Sequence, residues 1–179
     1  MKSLFVTLAV LSVVSAQSVS LQGPPMPKPP PELKKIGWLK GKWDADLKMF
    51  EGGKQVGTAK GPVNTTDSLG NMYLETRFES NMGGMAMKGL QMTSYDAAKK
   101  QYMAYWFDNM GPGGLELWGT LKGQTLVLVS KPVAIPGMPG KHAFRSTNAM
   151  KGASTMMFRL EMNSGKGWGK MLEGTMTRK

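Results

Sequence analysis

The sequence predicts an all-β protein, an antiparallel up-and-down β-barrel of about ten strands with a short N-terminal helix capping one end. Three observations carry this expectation. Short segments of strand-like alternation follow one another from Trp43 to the C-terminus. Nearly every junction between them is a short turn containing Gly, Asn or Asp. No helical segment separates them, as a parallel α/β sheet would require.

The elements follow in chain order. Met1-Lys2 gives a positive start, Leu4 to Val14 an apolar run, and Val14-Ser15-Ala16 a small-residue cleavage pattern. Together these resemble a secretory signal peptide cleaved after Ala16. The run is short for a bilayer span. No cysteine follows it for lipid attachment, so a secreted or periplasmic protein is expected. Residues 17–31 read as a disordered proline-rich linker, because Gly23 to Pro31 (GPPMPKPPP) favours an extended polyproline conformation. The single barrel domain then occupies residues 32–179. Its opening ELKKIGWLKGKW places Leu33, Ile36 and Leu39 at helical spacing behind prolines suited to a helix start.

In the first strand Trp43, Ala45, Leu47 and Met49 alternate with Asp44, Asp46 and Lys48, and Gly52-Gly53 turns the chain. The second runs near Lys54 to Asp67, with Gly57 and Gly61 as bends. In the third, Met72, Leu74, Thr76 and Phe78 oppose Tyr73, Glu75, Arg77 and Glu79. Met85 to Tyr95 and Gln101 to Asn109 form a hairpin apolar on both faces. If Lys88 and Asp108 point outward, Met87, Gln91, Tyr105 and Phe107 line the interior, leaving Leu90, Met92 and Trp106 outside. Strands over Leu115 to Leu121, Thr125 to Ser130, Lys141 to Met150, Ala153 to Met162 and Trp168 to Thr177 complete the ladder. The proline-bearing stretch Lys131 to Gly140 is expected to be a loop over the barrel mouth.

Two sets of residues carry a resemblance. Leu33 to Trp43, followed by Tyr95-Asp96, Lys100, Tyr102, Trp106, Asp108 and Gly119-Thr120, resembles the bacterial family called domain of unknown function 1579, from about Pro29 to the C-terminus. The Gly41-x-Trp43 pair is similar to the first-strand signature of calycin barrels, which include lipocalins, fatty-acid-binding proteins and haem-binding nitrobindins. The resemblance implies a barrel and assigns no activity. Ala45 and Leu47 replace the further glycines of the nitrobindin pattern, and no cofactor is expected.

Composition narrows the chemistry. The chain holds 17 methionines, one histidine and no cysteine, with a formal net charge of +11. Disulfides are excluded, so burial and backbone pairing must supply stability. The charge favours electrostatic contact with an anionic membrane or polysaccharide, while nucleic acid is not expected without a recognisable binding module. No Gly-x-Ser-x-Gly elbow or cysteine nucleophile is present. His142 shares a strand face with Phe144 and Ser146 and could face the cavity as an axial ligand to haem iron, but one histidine is a poor metal signal and an ordinary surface or hydrogen-bonded histidine is the favoured reading. The Met82, Met85, Met87 and Met92 group reads as adaptable core filling before it reads as a Cu(I) site.

The leading expectation is an exported, non-enzymatic barrel binding a small apolar or amphipathic ligand through Met87, Gln91, Tyr105, Phe107, His142 and Phe144, with Gly41 and Trp43 structural. A second is a filled barrel whose outer band of Leu90, Met92, Trp106 and Trp118 forms a homodimer or partner surface. A third is a cavity enzyme of unknown reaction.

Overall fold

The computed structural model describes residues 26–179; the expected signal segment 1–16 and most of the linker lie outside the described residues. Pro31–Leu39 forms a 3-10 helix with proline at its start and Leu33, Ile36 and Leu39 buried. Their spacing of three suits this helix, in which residues i and i+3 eclipse.

Eleven strands follow: β1 Gly41–Glu51, β2 Lys54–Ser68, β3 Tyr73–Met82, β4 Met85–Asp96, β5 Gln101–Asp108, β6 Leu115–Lys122, β7 Thr125–Ser130, β8 Val133–Ile135, β9 Met138–Met150, β10 Thr155–Asn163 and β11 Trp168–Arg178. Successive strands pair antiparallel, except that β7 pairs β9 and the short β8 folds back on β9 alone. Pairing of β11 with β1 closes a ten-strand barrel. Closure leaves no long edge for another chain to extend. The stretch Lys131 to Gly140, expected as a loop, instead contains β8 and the first residues of β9, joined through Pro136-Gly137. Gly137 takes a φ of +79°, which lets the chain reverse there.

The strand ladder fixes which side chains enter the barrel. On β1 the inward set is Trp43, Ala45, Leu47 and Met49, opposite Val63, Gly61, Ala59 and Gly57 of β2. Gly61 is a point of close approach: a β-carbon there would lie 1.9 Å from the Glu79 carbonyl oxygen. Gly174 meets the Asp46 carbonyl oxygen in the same way, at 2.1 Å. Glycine at these sites lets neighbouring strands coil tightly around the core.

The two ends of the barrel differ. The 3-10 helix seals one, where its leucines and Ile36 join Trp43, Val63, Leu74 and Tyr102 in a continuous apolar core. The Tyr102 hydroxyl donates to the Glu32 carbonyl at 3.0 Å, tying the helix to β5. The opposite end is ringed by the Gly52-Gly53 and Gly83-Gly84 turns, the segment 109–114 and the β8–β9 hairpin.

On the outer wall, cross-strand ion pairs brace β9, β10 and β11. Arg145 and Glu161 are register partners with Nε to Oε2 at 2.7 Å. Arg159 pairs with Glu173, which Lys170 also contacts. Opposite charges placed directly across antiparallel strands favour this register.

Candidate functional site

The Gly41 and Trp43 positions explain how the sealed end is built. The Trp43 indole is fully buried and donates to the Leu39 carbonyl at 3.0 Å. Arg178, its register partner on β11, lies over the ring at 4.2 Å and donates to the carbonyls of Lys40 and Trp38. A β-carbon on Gly41, whose φ is +118°, would lie 2.7 Å from the Arg178 guanidinium. Gly41 therefore makes room for the arginine that locks helix, first strand and last strand together. Gly41 and Trp43, the two positions expected to be structural, both lie at this junction; Arg178 carried no sequence signal beyond its place in the last strand.

Toward the open end the register runs Phe78–Gly89–Asp108, Thr76–Gln91–Trp106 and Leu74–Thr93–Ala104 across β3, β4 and β5. Leu74, Phe78 and Thr93 are buried in the interior, so Met87, Gly89 and Gln91 also point inward. The same register turns Trp106 inward and places Tyr105 and Phe107 on the outer wall. This corrects the sequence expectation for β5. The reason is Asp108: its carboxylate accepts the Trp106 indole N–H at 2.7 Å on the inner side instead of facing solvent. Phe107, opposite Leu90, is 44% exposed, and the Tyr105 hydroxyl reaches Glu116 at 3.4 Å. Burial, reinforced by Glu116, raises the Tyr105 pKa.

On the opposite wall His142, Phe144 and Ser146 alternate inward along β9. The β8 strand covers His142, which pairs with Val133 and is 4% exposed. Its Nε2 lies 3.0 Å from the Pro139 carbonyl, an acceptor, so Nε2 carries a proton. In the neutral ring Nδ1 is then a free acceptor, and among the described residues it has no partner. Ser146 Oγ and Ser80 Oγ are likewise buried without partners, Ser80 on β3 across the barrel. Ser130 differs, because its hydroxyl accepts the Phe144 amide at 2.8 Å where β7 ends.

These residues divide the interior. Near the sealed end Ile36, Trp43, Leu74 and Leu126 are fully buried, and at mid-height so are Leu47 and Leu128, the latter the register partner of Ser146. In the open half Met87, Gln91, Trp106, Phe144 and Leu160 retain accessible surface. Buried polar groups ordinarily find hydrogen-bond partners. Of the four orphaned atoms among the described residues, Trp38 Nε1 belongs to the helix of the sealed end, while His142 Nδ1, Ser146 Oγ and Ser80 Oγ stand on inward strand positions beside accessible apolar side chains, which makes this half the candidate site. The sequence candidates Met87, Gln91, His142 and Phe144 lie in this half; Ser146 was expected on the His142 face without being a candidate, Trp106 was expected outside, and Ser80 carried no expectation. Two hollows, of about 270 and 320 Å³, open over β2 to β5 and are lined largely by outward groups such as Lys60, Glu79 and Lys88. Among the described residues no cluster of three or more His, Asp or Glu side chains is arranged to hold a metal ion.

The chain's residues 28–178 match the family described as Protein of unknown function (DUF1579), and the chain belongs to that family. Its closed ten-strand barrel is consistent with a calycin-like fold. No curated protein matches the chain.

Proposed function

We propose that this member of the DUF1579 family is an exported, non-enzymatic barrel that takes one small amphipathic molecule into the open half of its interior. The observation that carries the reading is the pairing of an apolar wall with the unpartnered buried atoms His142 Nδ1, Ser146 Oγ and Ser80 Oγ. Ligand sites commonly combine such a wall with a few polar groups that fix orientation. Met87, Phe144, Trp106 and Leu160 would enclose the apolar body, and a donor on the ligand would satisfy His142 Nδ1. The filled sealed half restricts the ligand to the open half.

Native mass spectrometry of the purified protein, with displacement of N-phenyl-1-naphthylamine, tests the proposal. Saturable uptake of one probe that weakens in His142→Phe supports it. An absence of saturable uptake, or uptake indifferent to His142→Phe and Ser146→Leu, counts against it.

A second reading is favoured by the outer wall. Leu90–Phe107 and Met92–Tyr105 are register pairs, and Met103 aligns with Trp118 and Val129. This band would serve as a contact surface if the interior takes no ligand, with a homodimer as its expected product; light scattering across a dilution series separates the two.

A further inference from the structure

We infer that the sealed end of the barrel docks on an anionic lipid surface, independently of any interior ligand. This end consists of the outer side of the 3-10 helix and the turns after β2, β4, β6 and β9. It presents Lys34, Lys35, Lys42, Lys100, Lys122 and Lys151, all exposed and, among the described residues, without a carboxylate within 4.0 Å. Of the neighbouring acids, Glu32 on the helix has no cation within 4.0 Å among the described residues, and the aspartates are already engaged. Asp44 pairs with Lys179 at 2.9 Å, Asp67 with Lys40 at 2.6 Å and Asp96 with Lys99 at 3.9 Å. Six unpaired lysines against the Glu32 carboxylate leave this face strongly net positive. At the opposite end Glu51, Glu79 and Glu116 intersperse the cations.

A second observation points to lipid rather than a soluble polyanion. Leu69, at the tip of the β2–β3 turn, is 68% exposed and takes a φ of +49°. This backbone region is costly for a leucine, and glycine or asparagine would occupy it with less strain. The turn thus holds an apolar side chain outward beside a cationic face. A polysaccharide would engage the charges alone, whereas a bilayer satisfies charges and apolar tip together. Each lysine held near an anionic leaflet strengthens binding roughly fivefold.

Vesicle flotation tests the inference. The full chain is incubated with phosphatidylcholine vesicles, with or without about one-third phosphatidylglycerol. The parent should float with the anionic vesicles and be released by about 0.5 M salt. The double variant Lys34→Glu, Lys35→Glu should bind at least about tenfold more weakly. Leu69→Asn, which suits the backbone, should weaken binding by about threefold or more without lowering the melting temperature. The control Lys48→Glu, Lys88→Glu carries the same change in net charge on other strands and should stay within about twofold of the parent. Residues 1–25 are common to all variants, so their contribution cancels. Equal losses in the two charge variants, no preference for phosphatidylglycerol, or retention on dextran sulfate without vesicle binding would each overturn the inference.

Discussion

The Trp106 indole covers Gly89 so closely that a β-carbon on that glycine would lie 2.1 Å from the ring. Trp106 is the register partner of Gln91, so its ring reaches diagonally across β4 to the Gly89 position beside Phe78. Substitution of Gly89 by alanine must displace the ring or its strand. Overpacking of this kind typically costs about 1–3 kcal/mol. Gly89→Ala should lower the melting temperature and shift tryptophan emission, whereas Gly83→Ala, in an open turn position, should leave the emission unchanged.

Removing the polar anchor should separate binding from folding. His142→Phe replaces the unpartnered Nδ1 with carbon while keeping an aromatic ring against β8. The variant should remain folded by circular dichroism. It should bind a donor-bearing amphipathic probe roughly tenfold more weakly, the loss expected for one hydrogen bond to a buried group. A purely hydrocarbon probe should bind it as well as the parent or better.

The Tyr102 hydroxyl bond to Glu32 should hold the sealed end closed. Tyr102→Phe removes one neutral hydrogen bond, worth about 1 kcal/mol. Hydrogen exchange at the amides of residues 33–39 should accelerate more than exchange in β1 or β2. Equal acceleration everywhere would mean that the bond supports the whole barrel rather than the helix.

The outer ion pairs predict a loss of stability in acid. The Arg145 hydrogen bond holds the Glu161 carboxyl below its usual range, and the Lys170 contact, followed by Arg159, does the same for Glu173. A lowered folded pKa means that the unfolded chain binds protons first. The stabilisation is complete above the unfolded value of about 4.3 and disappears as pH falls through the lower folded value. Melting temperature should therefore fall as pH is lowered from about 5 to 3, and less steeply in a Glu161→Gln, Glu173→Gln variant, which starts lower at neutral pH.

The fold was legible where one strand face is charged. Asp44, Asp46 and Lys48 on β1, and Glu75, Arg77 and Glu79 on β3, mark the solvent side, and the opposite residues enter the core. The β5 orientation was illegible because both of its faces are apolar and its only acidic marker, Asp108, is held by Trp106. Alternation gives the period of a strand, while its phase depends on register with a neighbour. The β8 hairpin was hidden by Pro132, Pro136 and Pro139, which break local pairing signals yet tolerate a short strand reversing at Gly137. The orphaned Ser80 and Ser146 could not be found from composition, since an unpartnered hydroxyl is a property of packing.

Methyl resonances of methionine offer the most direct test of an interior site, because methionines sample both halves of the barrel. Met49, Met87 and Met162 lie toward the open end, and Met156 and Met176 toward the sealed end. In protein labelled with carbon-13 at methionine methyls, titration with N-phenyl-1-naphthylamine should shift Met87 and Met162 saturably and leave Met176 unmoved. Shifts confined to the outward Met92 and Met103, or no saturable shift at any methyl, would contradict an interior ligand site.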